Sequence, residues 1–171
     1  MKKIGLFWGS TSGNTEIASE FIKEYLELND FQVESFDISE HDIEEMGNYD
    51  NIIIGCPTWN IGELQDDWDS LFTTYKSMDF SGKIGAFFGC GDQVGYSFNF
   101  LDAIGILYDP FIKNGGTVIG ECNIDKYEFD DSKALRDGKL VGLGLDYDNS
   151  SDDDCELAMI EWLDVIMEEF K

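Results

Sequence analysis

Positive charge is the scarcest property of this sequence: eleven Lys and Arg face thirty-six Asp and Glu, a formal charge of -25 over 171 residues. So acidic a surface repels nucleic-acid phosphates and anionic membranes at long range, which excludes both and makes basic protein surfaces the expected partners. Solubility or adaptation to a salty medium accounts for the same charge, because Lys and Arg are scarce throughout the chain rather than on one face. Histidine occurs once, at His41, and Cys56, Cys90, Cys122 and Cys155 are widely spaced with no C-x-x-C pair. That set offers no metal site, and the cysteines read as reduced cytoplasmic thiols. No stretch approaches the roughly 20 apolar residues that cross a bilayer. The apolar run after Met1-Lys2-Lys3 is too short for a secretion signal and reads as a buried first strand. Internal repeats and proline-rich linkers are missing as well. One soluble, monomeric domain over residues 1-171 is expected, with 43% hydrophobic and 14% aromatic residues to build its core.

What is present alternates. Strand-like runs occupy Lys3 to Trp8, Gln32 to Phe36, Asn51 to Cys56, Lys83 to Phe88 and Thr117 to Gly120, several apolar at consecutive positions as in strands covered on both faces. Between and after them lie helical patterns at Thr15 to Leu28, Gln65 to Tyr75, Asn99 to Lys113 and Cys155 to Phe170, with a weaker one from His41 to Met46. This is the pattern of an α/β, doubly wound, five-stranded parallel sheet with helices on both faces and its ligand at the carboxyl ends of the strands. Glu121 to Leu140 breaks the rhythm before a second apolar run, Val141 to Leu145. It reads as an insertion of about 20 residues splitting the fifth strand.

Three strand-end loops carry the chemistry. Ser10, Thr11, Ser12, Gly13, Asn14 and Thr15 surround a helix N-terminus with hydroxyls and backbone N-H groups, a setting for a phosphate monoester. Asn14 stands where a Walker loop has lysine, and the spacing is one residue short. With no cation in the loop, N-H dipoles and hydroxyls meet the phosphate charge, which suits a phosphate held rather than transferred. The second loop, Pro57 to Gly62, places Trp59 where it can stack on a planar ring. The third, Gly89 to Tyr96, adds glycines, the Asp92 carboxylate and a second aromatic. One phosphate and one flat ring system describe FMN.

The segments Pro57-Thr58-Trp59-Asn60-Ile61-Gly62-Glu63-Leu64-Gln65, Gly91-Asp92-Gln93 to Tyr96, and Asp131-Ser132-Lys133-Ala134-Leu135-Arg136 closely resemble long-chain flavodoxins of the cyanobacterial and algal type, and the likeness covers essentially the whole chain. The resemblance implies strand order 2-1-3-4-5, which the general rule for this fold also gives with FMN at the switch point. It implies that Ser10 to Thr15 hold the phosphate and that Trp59 and Tyr96 sandwich the isoalloxazine. Asn60, Cys90, Gly91 and Asp92 then line the ring's polar edge, Thr58, Ile61 and Gly62 complete the second loop, and Asn99 and Asp148 are weaker carry-overs. The family usually has Thr where this chain has Ser12, and often where it has Cys90.

The implied function is a low-potential one-electron carrier, not an enzyme. Photosystem I, ferredoxin-NADP reductase and ferredoxin-dependent enzymes are the implied partners. In the family a carbonyl of the Asn60-Ile61 region rotates as the flavin is reduced, and a β-branched Ile61 makes that rotation costly. The alternative on the same fold is an FMN-dependent quinone or nitro reductase, which needs an open flavin face. A phosphorylated receiver module is disfavoured because the third strand ends Gly55-Cys56-Pro57, without a carboxylate.

Overall fold

A computed structural model describes residues 1-171. The elements run β1 (Lys3–Trp8), α1 (Asn14–Leu28), β2 (Gln32–Asp37), a 3-10 turn (Ile43–Asn48), β3 (Asn51–Gly55), β4 (Thr58–Trp59) and β5 (Glu63–Leu64). They continue with α2 (Asp66–Ser77), β6 (Ile84–Cys90), α3 (Asp102–Lys113), β7 (Thr117–Ile119), β8 (Cys122–Asn123), β9 (Leu135–Arg136), β10 (Lys139–Leu140), β11 (Leu143–Leu145) and α4 (Asp152–Met167). The principal sheet is parallel, in the order β11-β6-β3-β1-β2.

Its fifth position is shared. β7 pairs with the start of β6, Ile84 to Ala86, and β11 with its end, Phe88 to Cys90. The split fifth strand expected from sequence is therefore real, and the chain between the two pieces forms its own antiparallel sheet, β8-β10-β9. Tyr127 ties this insertion to β11, its hydroxyl lying 3.1 Å from both the Gly144 carbonyl and the Gly144 N-H.

Side-chain alternation sorts the strands onto two cores. Phe7, Ile52, Ile54 and Phe87 face Trp68, Tyr75, Phe80 and Phe111 of the α2/α3 layer. Ile4, Leu6, Ile53, Ala86 and Phe88 face Ile22, Leu26, Trp162, Leu163 and Ile166 of the α1/α4 layer. Burial on both faces is why these strands read as consecutive apolar residues.

Several boundaries differ from the sequence expectation for local reasons. The helix expected from Asn99 begins at Asp102, because Leu101 takes a left-handed conformation (φ 60°) that helical backbone does not continue through. The pattern from His41 to Met46 is a 3-10 turn that starts after Asp42, whose carboxylate caps the Glu44 N-H at 2.9 Å. Asp152, Asp153 and Asp154 form the first turn of α4 rather than preceding it, because Ser151 caps the Asp154 N-H at 3.1 Å. The fourth strand extends to Cys90, and Pro57 to Gly62 is half of a small hairpin, Thr58 pairing with Leu64 and Trp59 with Glu63.

Candidate functional site

The carboxyl ends of β1, β3, β6 and β11 open onto one cleft of about 380 Å³. It is lined by Ser12 and Asn14 from the first loop and by Thr58, Trp59 and Asn60 from the hairpin. Cys90, Gly91, Asp92, Tyr96 and Asn99 line it from the loop after β6, and Asp148 from the loop after β11. Eleven of the residues expected from sequence thus meet in one place. Ser10, Thr11, Gly13 and Thr15 belong to the same loop as Ser12 but do not line the cleft, and Ile61 and Gly62 form the hairpin tip beside it.

At one end stands the start of α1. Gly13 adopts φ 97°, a left-handed conformation that glycine takes without penalty, and no side chain caps the helix. The first N-H groups of α1 have no intrahelical acceptor and carry the positive end of the helix dipole. Ser10 Oγ accepts a 3.1 Å bond from the Gly13 N-H and fixes the turn. Buried Gln65 braces the loop from behind: its amide donates to Thr11 Oγ1 at 3.1 Å and to Asp67 at 2.7 Å. Thr15 is buried and donates its hydroxyl to Cys90 Sγ at 3.7 Å, tying the first turn of α1 to the end of β6. Burial pushes the Cys90 thiol up to about 12, and the Thr15 bond only partly offsets it, so the sulfur stays protonated. The donor set here is wholly uncharged. It suits a terminal anion held in place.

The other end is aromatic. Asn60 (φ 46°) and Gly62 (φ 80°) turn the hairpin, whereas Ile61 stays outside the left-handed region and is 76% exposed. The Asn60 amide donates to Glu63 at 2.8 Å. A side chain at Gly62 would collide with Asp102 and Asn99, so glycine is required by contact as well as by φ. Asp102 is buried and accepts from the Asn99 amide at 3.1 Å and from the Lys133 N-H at 2.7 Å. Thr58 Oγ1 accepts from the Ala103 N-H at 3.0 Å, anchoring the hairpin to the first turn of α3.

Asp92 organises the third loop. Its carboxylate accepts from the Gly95 N-H at 2.7 Å, the Val94 N-H at 3.0 Å and the Asn149 amide at 2.8 Å. The Gly95 bond, followed by that from Asn149, holds its pKa below the usual carboxylate range.

Against this frame, residues 6-162 match the family model described as flavodoxin. The chain is 50% identical over 151 residues to a flavodoxin of Nostoc sp., covering 88% of each. It is 47% identical over 171 residues to the flavodoxin of Trichodesmium erythraeum, covering 99% of each. The chain belongs to the flavodoxin family. Among solved structures, the crystal structure of Fusobacterium nucleatum flavodoxin bound to flavin mononucleotide aligns over 100% of both chains, with a TM-score of 0.93 and 30% identity.

Sequence reasoning missed three lining residues of this flavodoxin fold, Pro57, Phe100 and Tyr147, and three buried polar supports, Gln65, Asp102 and Asp146. Asp146 accepts from the Gln93, Asp148 and Asn149 N-H groups, each at 3.1 Å, and so joins the loops after β6 and β11. Its position just beyond β11 was the available signal, since ligand loops follow strand ends. Gln65 and Asp102 carry no such mark. In sequence they are ordinary polar residues at helix starts.

Proposed function

We propose that this chain holds one FMN noncovalently in the cleft and works as a low-potential one-electron carrier. The observation that carries the reading is the joining of an uncapped, cation-free helix N-terminus and two aromatic-bearing loops in a single cleft. Ser10 to Thr15 hold the phosphate through main-chain N-H groups and hydroxyls. Trp59 and Tyr96 cover the ring faces, and Asn60, Cys90, Gly91 and Asp92 face its polar edge. Thr58, Ile61, Gly62, Asn99 and Asp148 complete the surround. FMN supplies the redox chemistry, and the chain orients it and adjusts its potential. A formal charge of -25 disfavours further negative charge in the cleft, which keeps the potential low.

Flavodoxins are electron-transfer proteins, not enzymes, and a quinone or nitro reductase is not favoured. The partners are redox proteins. Basic docking surfaces are supported by Glu63, Asp66, Asp67 and Asp69 beside the hairpin, and by exposed Ile61, Val94, Tyr96 and Phe98 on the loops around the cleft. Photosystem I, ferredoxin-NADP reductase and ferredoxin-dependent enzymes are the candidates. No helix is long and apolar enough to cross a membrane. Four free cysteines support a cytoplasmic setting, and the chain is read as a single-domain monomer.

The test is the absorption spectrum of the purified protein during stepwise anaerobic reduction. Flavin bands lost in two resolved one-electron steps are expected. Direct two-electron bleaching points to the reductase, and a colourless protein that takes up no added FMN overturns the reading.

A further inference from the structure

Tyr96 sits on the loop that runs from β6 to α3, and that loop is held from two sides. On the side of β11, Asp146 accepts from the Gln93 N-H at 3.1 Å, and Asp92 accepts from the Asn149 amide at 2.8 Å. On the other side the bonds come from the insertion, in the stretch between β8 and β9. Gln93 Oε1 accepts from the Glu128 N-H at 2.5 Å. The Ser97 carbonyl accepts from the Asp130 and Asp131 N-H groups at 2.8 and 3.0 Å, and the Ser97 hydroxyl donates to the Asp130 carboxylate at 2.6 Å. Phe100, which lines the cleft, stacks on Phe129 with ring centres 5.4 Å apart.

Ser97 is thus the point at which the insertion grips the loop, and it is the residue next to Tyr96. The Tyr96 ring is 52% exposed and belongs to neither core cluster, so packing does not fix it and its place is set by the backbone that carries it. A half-exposed aromatic on a free loop loses freedom when a ligand stacks on it, and that loss subtracts from affinity. A loop already held in place avoids much of it.

Building on the FMN reading, we infer that Asp130 of the insertion is a positioning residue for the flavin site, which acts through Ser97 to hold Tyr96 against the ring. The insertion is then part of the site although Asp130 does not line the cleft.

The decisive experiment is a double-mutant cycle of Asp130→Ala with Tyr96→Ala. Dissociation constants for FMN and for riboflavin, which shares the ring and lacks the phosphate, are read from quenching of flavin fluorescence. Asp130→Ala is expected to weaken both flavins alike by about threefold, the scale of one exposed hydrogen bond to a charged group with the two main-chain bonds to Ser97 left in place. Asp130→Asn, which keeps an acceptor for Ser97 and removes only the charge, binds as the parent does. In the Tyr96→Ala background Asp130→Ala costs nothing further. Unchanged flavin binding in Asp130→Ala overturns the assignment. So does a loss of the same size when Tyr96 is absent, because Asp130 then serves the fold in general. Equal weakening by Asp130→Asn and Asp130→Ala overturns it too, since the charge and not the bond is then at work. Ser97→Ala, which removes the bond from its other end, is expected to reproduce the Asp130→Ala result. The FMN reading itself is judged on the parent protein, which binds FMN or does not whatever Asp130 contributes.

Discussion

The two ends of the cleft are built on different principles. At the α1 end the donors belong largely to the main chain, and the loop is braced from behind by Gln65 and by the Thr15–Cys90 contact. At the aromatic end Trp59 and Tyr96 are carried on a two-residue-stranded hairpin and a surface loop, with Tyr96 52% exposed and the hairpin tip, Ile61, 76% exposed. On the proposed reading, the first end receives a charge that does not change. On the same reading, the second, carried on more exposed segments, surrounds the group whose charge does change. A carrier needs both, because a cofactor must stay bound while its electronic state varies.

The sharpest way to break the contrast is Asn14→Asp. A carboxylate beside the start of α1 repels the phosphate, so FMN affinity falls about a hundredfold, roughly 2.7 kcal/mol. Riboflavin affinity holds, and the apoprotein gains slightly from an acid at the helix N-terminus. Parallel titrations with FMN and riboflavin check it, and equal losses would show that this end does not read the phosphate.

Trp59→Ala probes the other end. Loss of a stacked ring costs roughly 2 kcal/mol by analogy with bases on aromatic platforms, about thirtyfold in affinity. Here FMN and riboflavin suffer alike. A selective loss of FMN would erase the division between the two ends.

The smallest effect is expected from Ile61→Gly, which touches neither end's contacts and only frees the turn. Asn60 and Gly62 already take positive φ while Ile61 does not, so a rotation that demands it of Ile61 meets strain that glycine removes. Relief of about 1 kcal/mol raises the first reduction potential by roughly 40 mV for a one-electron couple. Potentiometry with redox dyes measures it, and an unchanged or lowered potential removes this account of the turn.

Much of the architecture was legible because the parallel strands are buried on both faces and therefore apolar at consecutive positions. Ile52-Ile53-Ile54 announces a central strand without any partner being known. The three loops were legible through their position after strands and their unusual mixtures, hydroxyls around Gly13 and aromatics beside glycines. Helix starts were less so. Leu101 is a good helix former in the middle of an apolar pattern, and only its packing in the core at 0% exposure, with a left-handed backbone, delays α3 to Asp102. The supports were least legible, since whether an Asp is a solvated surface charge or a buried acceptor depends on which N-H groups the fold brings to it. Asp146 accepts from Gln93, 53 residues earlier in the chain.

Local sequence, then, determined the alternation of elements, the split of the fifth strand, the acidity of the whole and the chemical character of each loop. These follow from periodicity and composition over a few residues, and short-range patterns report them directly. Tertiary structure alone decided which polar residues turn inward, how the insertion folds into its own small sheet, and that Tyr147 ends with a buried, unbonded hydroxyl. Those outcomes depend on distances between residues far apart in the chain, and no local pattern records them until the sheet has closed around its two cores.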